Sequence, residues 1–371
     1  MKKPQNKKNI KKSSKKISFF KGSFKDWSKA IIIALVVLLF VRIFITRALT
    51  VSDSRMEKTV LAGDYLYINK LKYGVRIPIT PLSIPFTDLT IPFTHAPSYL
   101  DWIQIPYLRL PGFSDIRRND LLVVNNPFEQ DKPIDCKITL VKRCIALPGD
   151  TLQIFDKKIF INNQIHQDDS NTVVFRYRFV TKDRKIPDKN FLEKYGISNT
   201  FNISERVYDI NITPAQSDKL LEDTNIVHDV RLMRLEKEIL SHLFFPSNNK
   251  YNWNADYFGP LAIPKKETTV KITLQNIPLY RKIIETYENN KLEIENNKIF
   301  INDAETDRYT FKQNYYFVID DNRDEARDSR YWGFLPEDHI IGSASFVWFS
   351  IDLNKSGLSS IRWSRIFKNL N

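Results

Sequence analysis

The chain has 371 residues, 42% of them hydrophobic, and its 56 Lys and Arg outnumber 43 Asp and Glu for a net charge of +13. That apolar content excludes a disordered polymer, and the length allows a membrane anchor plus one large or two small domains. The charge suggests nucleic acid only until it is located. Residues 1–29 hold eleven Lys and one Asp, a net of +10, which leaves +3 for the rest. The basicity is therefore a tail rather than a groove, and no nucleic-acid partner is expected.

The tail, residues 1–26, runs into an apolar segment, unbroken from Ala30 to Val41 and extended past Arg42 by Ile43-Phe44-Ile45. Counted from Trp27 it makes about 28 Å of helix, enough to cross a bilayer. Arg42 is close enough to the distal end to snorkel toward the interface. Thr46-Arg47-Ala48-Leu49 is a poor cleavage site, so the run reads as a retained signal anchor over 27–46. A lysine-rich flank stays in the cytoplasm, which predicts an inner-membrane, single-pass protein with its main domain extracytoplasmic.

Leu66-Tyr67-Ile68-Asn69-Lys70 has strand character. A proline-dense passage follows, with Pro78, Pro81, Pro85, Pro92, Pro97, Pro106 and Pro111 interleaved with Phe86, Phe93, Tyr99, Trp102 and Tyr107. Two readings stand: an extended loop facing the bilayer, where Trp and Tyr are favoured, or an ordinary surface loop with its own small cluster. Leu121–Val124 and Lys137–Ile145 read as strands. Leu152-Gln153-Ile154 with Lys158–Asn162 reads as a hairpin, and the same text recurs at Leu292-Glu293-Ile294 with Lys298–Asn302. Two copies are too few for a solenoid.

Between them, 166–290 reads as an inserted α+β subdomain. Thr213-Pro214-Ala215-Gln216 is a capping box opening a helix, Val230 to Leu243 (with Leu240) carries a helix-spaced apolar stripe, and Asn276-Ile277-Pro278 starts a third helix. Tyr315–Ile319 and Phe346–Ile351 are further strands. The tail Ile361–Phe367 suits either a membrane interface or a packed turn. Cys136 and Cys144, eight residues apart, are two separate thiols unless the chain doubles back between them. The five His residues (95, 166, 228, 242, 339) show no metal-ligand spacing, and neither a metal nor a cofactor is expected.

Four segments behind the apolar run carry a resemblance. Val51-Ser52-Asp53-Ser54-Arg55-Met56-Glu57-Lys58-Thr59 precedes Gly63-Asp64; Asp120-Leu121-Leu122-Val123-Val124 follows; then Val141-Lys142-Arg143 with Pro148-Gly149-Asp150; and last Asp321-Asn322-Arg323-Asp324 through Asp328-Ser329-Arg330-Tyr331-Trp332-Gly333. In this order they resemble bacterial type I signal peptidases, membrane-bound serine endopeptidases that remove signal peptides after small residues. The resemblance implies a mainly β, antiparallel signal-peptidase-like domain over 47–165 and 291–371, on one transmembrane helix. Its expected partners are signal peptides of exported preproteins, the lipid bilayer and an active signal peptidase.

The family works through a Ser/Lys dyad, in which an amine kept neutral by apolar burial takes the serine proton and an oxyanion hole receives the developing charge. Matched residue by residue, Lys142 stands at the general base, while Met56, Asp321, Arg323, Asp328 and Arg330 stand at structural positions around it. The three family serines are replaced. Arg55 occupies the nucleophile position, Asp53 the oxyanion-assisting one, and Ala326 the one that orients the lysine; Asp320 replaces the opening glycine of the last motif. A guanidinium stays protonated and cannot attack a carbonyl. The expectation is a catalytically impaired member that binds signal peptides or assists their processing, its cleft filled by an Asp53–Arg55 ion pair. The alternative is an active peptidase using Ser54 with Lys142, which needs a bulge to turn Ser54 onto the lysine's side.

Overall fold

A computed structural model describes residues 24–84, 87, 89–91, 93–94, 96–182, 188–197, 200–239 and 242–370. Most of the basic tail, together with Pro85, Phe86, Pro92, His95 and Leu240, lies outside them. The chain divides into two units, Met1–Arg42 and Ile43–Asn371. In the first, helix α1 runs Phe24–Phe40 and continues as a wider turn over Val41–Ile45. These 22 residues make about 33 Å of helix, bury none of their side chains, and are long and apolar enough to cross a membrane.

The second unit is built on one antiparallel sheet. Strands β1 (Thr46–Thr50), β2 (Asp64–Asn69), β3 (Leu121–Asn125) and β4 (Thr139–Ala146) combine with two late strands, Tyr315–Ile319 and Ile340–Ser350. The spatial order is β1, β2, Ile340–Ser350, β3, β4, Tyr315–Ile319, closed by the short Leu335–Pro336. Late strands therefore insert between and beside early ones, which brings the last motif against the lysine strand. β3 and Tyr315–Ile319 are buried on both faces and read as unbroken Leu, Val, Tyr, Phe and Ile runs for that reason.

The two hairpins of repeated text fold alike. Leu152 faces Ile161 and Ile154 faces Ile159; Leu292 faces Ile301 and Ile294 faces Ile299. Both turn on two residues with positive φ, Asp156-Lys157 and Asn296-Asn297, the geometry that matches strand twist in two-residue hairpins.

The 166–290 stretch does not form one layer. Phe175–Thr181, Thr200–Ser204, Val207–Ile212 and Val227–Leu232 make a separate four-stranded sheet whose core of Phe179, Phe191, Tyr208, Ile210 and Leu220 is its own. Tyr257–Ala262 instead pairs with the first hairpin, and the helix Ile277–Lys282 packs into the hairpin core with Ile283 and Ile284. The capping box at Thr213 opens a helix over Pro214–Glu222, with Thr213 and Gln216 bonded reciprocally. The helix expected from Val230 to Leu243 is absent from the described residues. Val227–Leu232 is a strand paired with Phe175–Thr181, because burying Val230 opposite Phe179 outweighs a helix-like spacing that no cap supports.

The proline-dense passage is a two-legged ribbon. Its legs meet at Arg76 with Arg109, Ser83 with Tyr99, and Thr90 with Pro97. Cys136 and Cys144 are both buried free thiols.

Candidate functional site

The segment 53–60, where the resemblance expects the nucleophile, is a turn and not a strand. Asp53 folds its carboxylate back onto the backbone N–H of Arg55 (3.1 Å), an Asx turn, while Arg55 Nη1 donates to Asp53 Oδ2 at 2.8 Å. The pair expected from two neighbours on one face of a strand thus forms through a turn. Met56 is buried just beyond, and its sulfur accepts the Asp321 N–H at 3.4 Å. The Asn322 N–H donates to the Arg55 carbonyl at 2.9 Å, so the first and last motifs are bonded backbone to backbone.

Lys142 sits in β4, opposite Leu122 of β3. On its other side the register pairs Ile319 with Arg143, so the next residue along, Asp320, comes level with Lys142. The lysine Nζ donates to both Asp320 oxygens, at 2.5 and 2.7 Å, and both side chains are essentially inaccessible to water. Asp320 Oδ2 also accepts the Arg327 N–H at 3.0 Å. Burial pushes the Asp320 carboxyl up to about 6, against the opposing pull of the Lys142 ammonium.

Asp328 lies behind this pair and takes the Asp320 N–H on its Oδ2 at 3.0 Å. Arg330 grips Asp328 through Nε and Nη2, at 3.0 and 2.8 Å. Burial disfavours the ionised Asp328, yet the Arg330 guanidinium outweighs it and holds the carboxyl below the usual range. Asp321 receives Arg143 on both oxygens at 2.6 Å and Thr59 Oγ1 at 2.5 Å. Arg323 reaches away from the cleft to Asp168, at 2.6 Å. Ala326 is buried and offers a methyl where a hydroxyl is expected.

A cleft of about 280 Å³ opens beside Lys142 and is lined by Thr50 through Asp53, Arg55, Met56 and the edge Ile138–Val141. Arg55 and Asp53 contribute to that wall; Ser54 does not, and its carbonyl instead accepts the Glu57 N–H at 3.0 Å. The structure therefore brings together Lys142, Asp53, Arg55 and Met56 at the cleft, with Asp320, Asp328 and Arg330 behind it. What the sequence reading missed is the partner of the lysine. The aspartate in place of the glycine was visible, but only the register of two strands far apart in the chain sets it opposite Lys142. Also unforeseen is the clasp on the motif's Gly-Asp turn, where Arg365 near the C-terminus donates Nε to buried Asp64 at 3.0 Å and Nη2 to the Thr59 carbonyl at 3.0 Å.

The described residues combine an apolar N-terminal helix long enough to cross a membrane, an antiparallel sheet, and a lysine-bearing strand beside a motif turn. The family model for signal peptidase, peptidase S26, matches residues 24–208 and 263–349, well over half of the chain. The chain belongs to that family. It is 24% identical over 328 residues to the signal peptidase I of Buchnera aphidicola subsp. Acyrthosiphon pisum, covering 87% of this chain and 74% of the relative. It is 23% identical over 347 residues to that of Helicobacter pylori strain 26695, covering 88% and 86%. A crystal structure of a signal peptidase I from Enterococcus faecalis aligns at 15% identity and a TM-score of 0.23, over 62% of this chain and 96% of the other.

Proposed function

We propose that this chain is a signal-peptide-binding member of the family in which the serine/lysine chemistry is blocked at both ends. The observation that carries this reading is the double hydrogen bond from Lys142 to Asp320. A general base must present a lone pair to a hydroxyl, whereas this amine is engaged as a donor to a carboxylate. At the other end, the nucleophile position offers a guanidinium tied to Asp53, and no nucleophile results. The body keeps the cleft and the backbone link between its motifs, which supports binding an extended peptide without cutting it. In this reading the bulk of the chain is extracytoplasmic, and an active relative performs the cleavage that it assists.

The test is processing in proteoliposomes of the full chain with a preprotein bearing an Ala-x-Ala site. The expected result is no cleaved product, together with photo-crosslinking of the signal peptide to residues of the cleft wall. Correctly placed cleavage that Ser54→Ala abolishes would overturn the proposal in favour of a working peptidase. Absence of any crosslink would overturn the binding role.

A further inference from the structure

Arg55 meets the cleft with part of its guanidinium unused. Its backbone is fixed: the N–H donates to Asp53 Oδ1, the carbonyl accepts the Asn322 N–H at 2.9 Å, and the next side chain, Met56, is buried. The head group is held far less. Nη1 donates to Asp53 Oδ2 at 2.8 Å, and among the described residues no acceptor meets Nε or Nη2. The Arg55 and Asp53 side chains are both partly open to solvent, and a pair this exposed holds its members weakly. Lys142, the other cation of the cleft wall, is occupied by both oxygens of Asp320. Much of the remaining wall is apolar, with Leu49, Val51, Met56, Leu140 and Val141. One cation on this wall is therefore free to take a ligand, and it is a guanidinium.

A half-used guanidinium in a largely apolar wall suits a carboxylate, which arginine grips through two parallel N–H···O bonds. We infer that the cleft holds a peptide by its C-terminal carboxylate, and that this peptide is a signal peptide already released from its preprotein. The inference rests on the reading of the cleft as a peptide-binding groove given above. Hydrolysis by an active relative adds water across the bond after the Ala-x-Ala site. The hydroxyl goes to the signal peptide, which gains a new carboxylate, and the amine of the mature chain takes a proton. An intact preprotein has a neutral amide carbonyl at the same point, and that oxygen accepts a guanidinium hydrogen bond more weakly. The apolar wall favours a chain end over an acidic side chain, because a run of small apolar residues carries its charge only at its terminus. Asp53 neutralises Arg55 while the cleft is empty. It need not leave when a ligand arrives, since a guanidinium has five N–H donors and two carboxylates can share it through different nitrogens.

The test measures binding of fluorescein-labelled synthetic signal peptides to the full chain in detergent by anisotropy, with micelles lacking the protein as the baseline. One peptide ends at Ala-x-Ala with a free carboxylate and a second ends there as the amide. A third is an amide with Glu as its last residue, and a fourth continues several residues past the site. The free acid is expected to bind about tenfold or more tighter than the amide and the extended peptide. Arg55→Met should bring the acid down to the level of the amide and leave the amide unchanged. Asp53→Asn keeps an acceptor for the turn and removes the competing charge, so it should widen the gap. Equal binding of acid and amide by the parent chain would overturn the inference and leave the peptide-binding reading standing. A Glu-ended amide as tight as the acid would also overturn it, in favour of an acidic side chain as the ligand, as would a preference for the acid that survives Arg55→Met. Binding of none of the four would overturn the inference and the peptide-binding reading together.

Discussion

Lys142 and Asp320 form a buried ion pair inside the sheet, with Nζ at 2.5 and 2.7 Å from the two carboxylate oxygens and both side chains almost wholly shielded from water. Removing one partner of such a pair leaves an uncompensated buried charge and costs about 3–5 kcal/mol, whereas replacing both by apolar groups is neutral or stabilising. Asp320→Ala is therefore expected to lower stability by several kcal/mol, and Lys142→Met with Asp320→Leu to recover most of it. The Asp53–Arg55 pair is different. Its side chains are 42% and 29% exposed, and its loss is expected to cost under about 1 kcal/mol. Thermal denaturation of the full chain in detergent separates the two cases; equal effects from Asp320→Ala and Arg55→Ala would contradict this ranking.

The carboxyls of Asp320 and Asp328 titrate in opposite senses, and their signs differ accordingly. Asp320 is raised by burial to about 6, so the native state holds its proton at pH values where the unfolded chain has released it. Its contribution is full below the ordinary carboxylate range and is lost as pH rises toward about 6. Asp328 is held down by Arg330 despite its burial. Its contribution is present above the ordinary range and is lost as pH falls through the lowered value. The melting temperature is expected to rise slightly on acidification from pH 7 to 5 and to fall at lower pH. Asp320→Asn should remove the rise and keep the fall; a monotonic profile in the parent chain would contradict the assignment.

Much of the scaffold was legible because local signals and pairing agreed. The hairpins announced themselves through Leu-x-Ile and Ile-x-Ile runs around two-residue turns, and Thr213 with Gln216 fixed a helix start without tertiary help. The stripe from Val230 to Leu243 misled because apolar spacing alone does not distinguish a helix from a strand that enters another element's core. At the site, Arg55, Asp53 and Ala326, where the resemblance expects serines, were visible one by one in the sequence. The Asp53–Arg55 contact was within reach, since two residues separate the partners. The Lys142–Asp320 contact was not, because its partners are 178 residues apart and meet only through the strand order of the sheet.

Cys136 and Cys144 are expected to remain reduced and silent in the native protein. Burial pushes the Cys136 thiol up to about 11, and the more enclosed Cys144 higher still, so neither carries much thiolate at pH 8. Alkylation at pH 8 should modify neither thiol in the folded chain and both in denaturant, with identical mobility on reducing and non-reducing gels. Rapid native labelling of either thiol, or a mobility shift on reduction, would show that the strand Thr139–Ala146 is not packed as described.

On the reading proposed above, an attempt to restore activity tests which obstacle matters most. If missing hydroxyls were the whole defect, Arg55→Ser with Ala326→Ser would suffice to cleave a preprotein. The geometry argues otherwise, because Lys142 in that variant still donates to both oxygens of Asp320 and is held toward that carboxylate and not toward a hydroxyl at position 55. On the proposed reading the Asp53 carboxylate also remains at the oxyanion-assisting position, where it raises the barrier that an oxyanion hole lowers. The two-residue variant is therefore expected to stay inactive, and cleavage at the Ala-x-Ala site to appear only when Asp320→Gly and Asp53→Ser are added. Product N-terminal sequencing in proteoliposomes checks the site, and a melting curve for each variant checks that it is folded. Cleavage by the two-residue variant alone would show that Asp320 does not hold the lysine in solution. A folded four-residue variant that still fails to cleave would place the defect in the shape of the cleft wall, Thr50 to Asp53 and Ile138 to Val141, and not in the reacting groups.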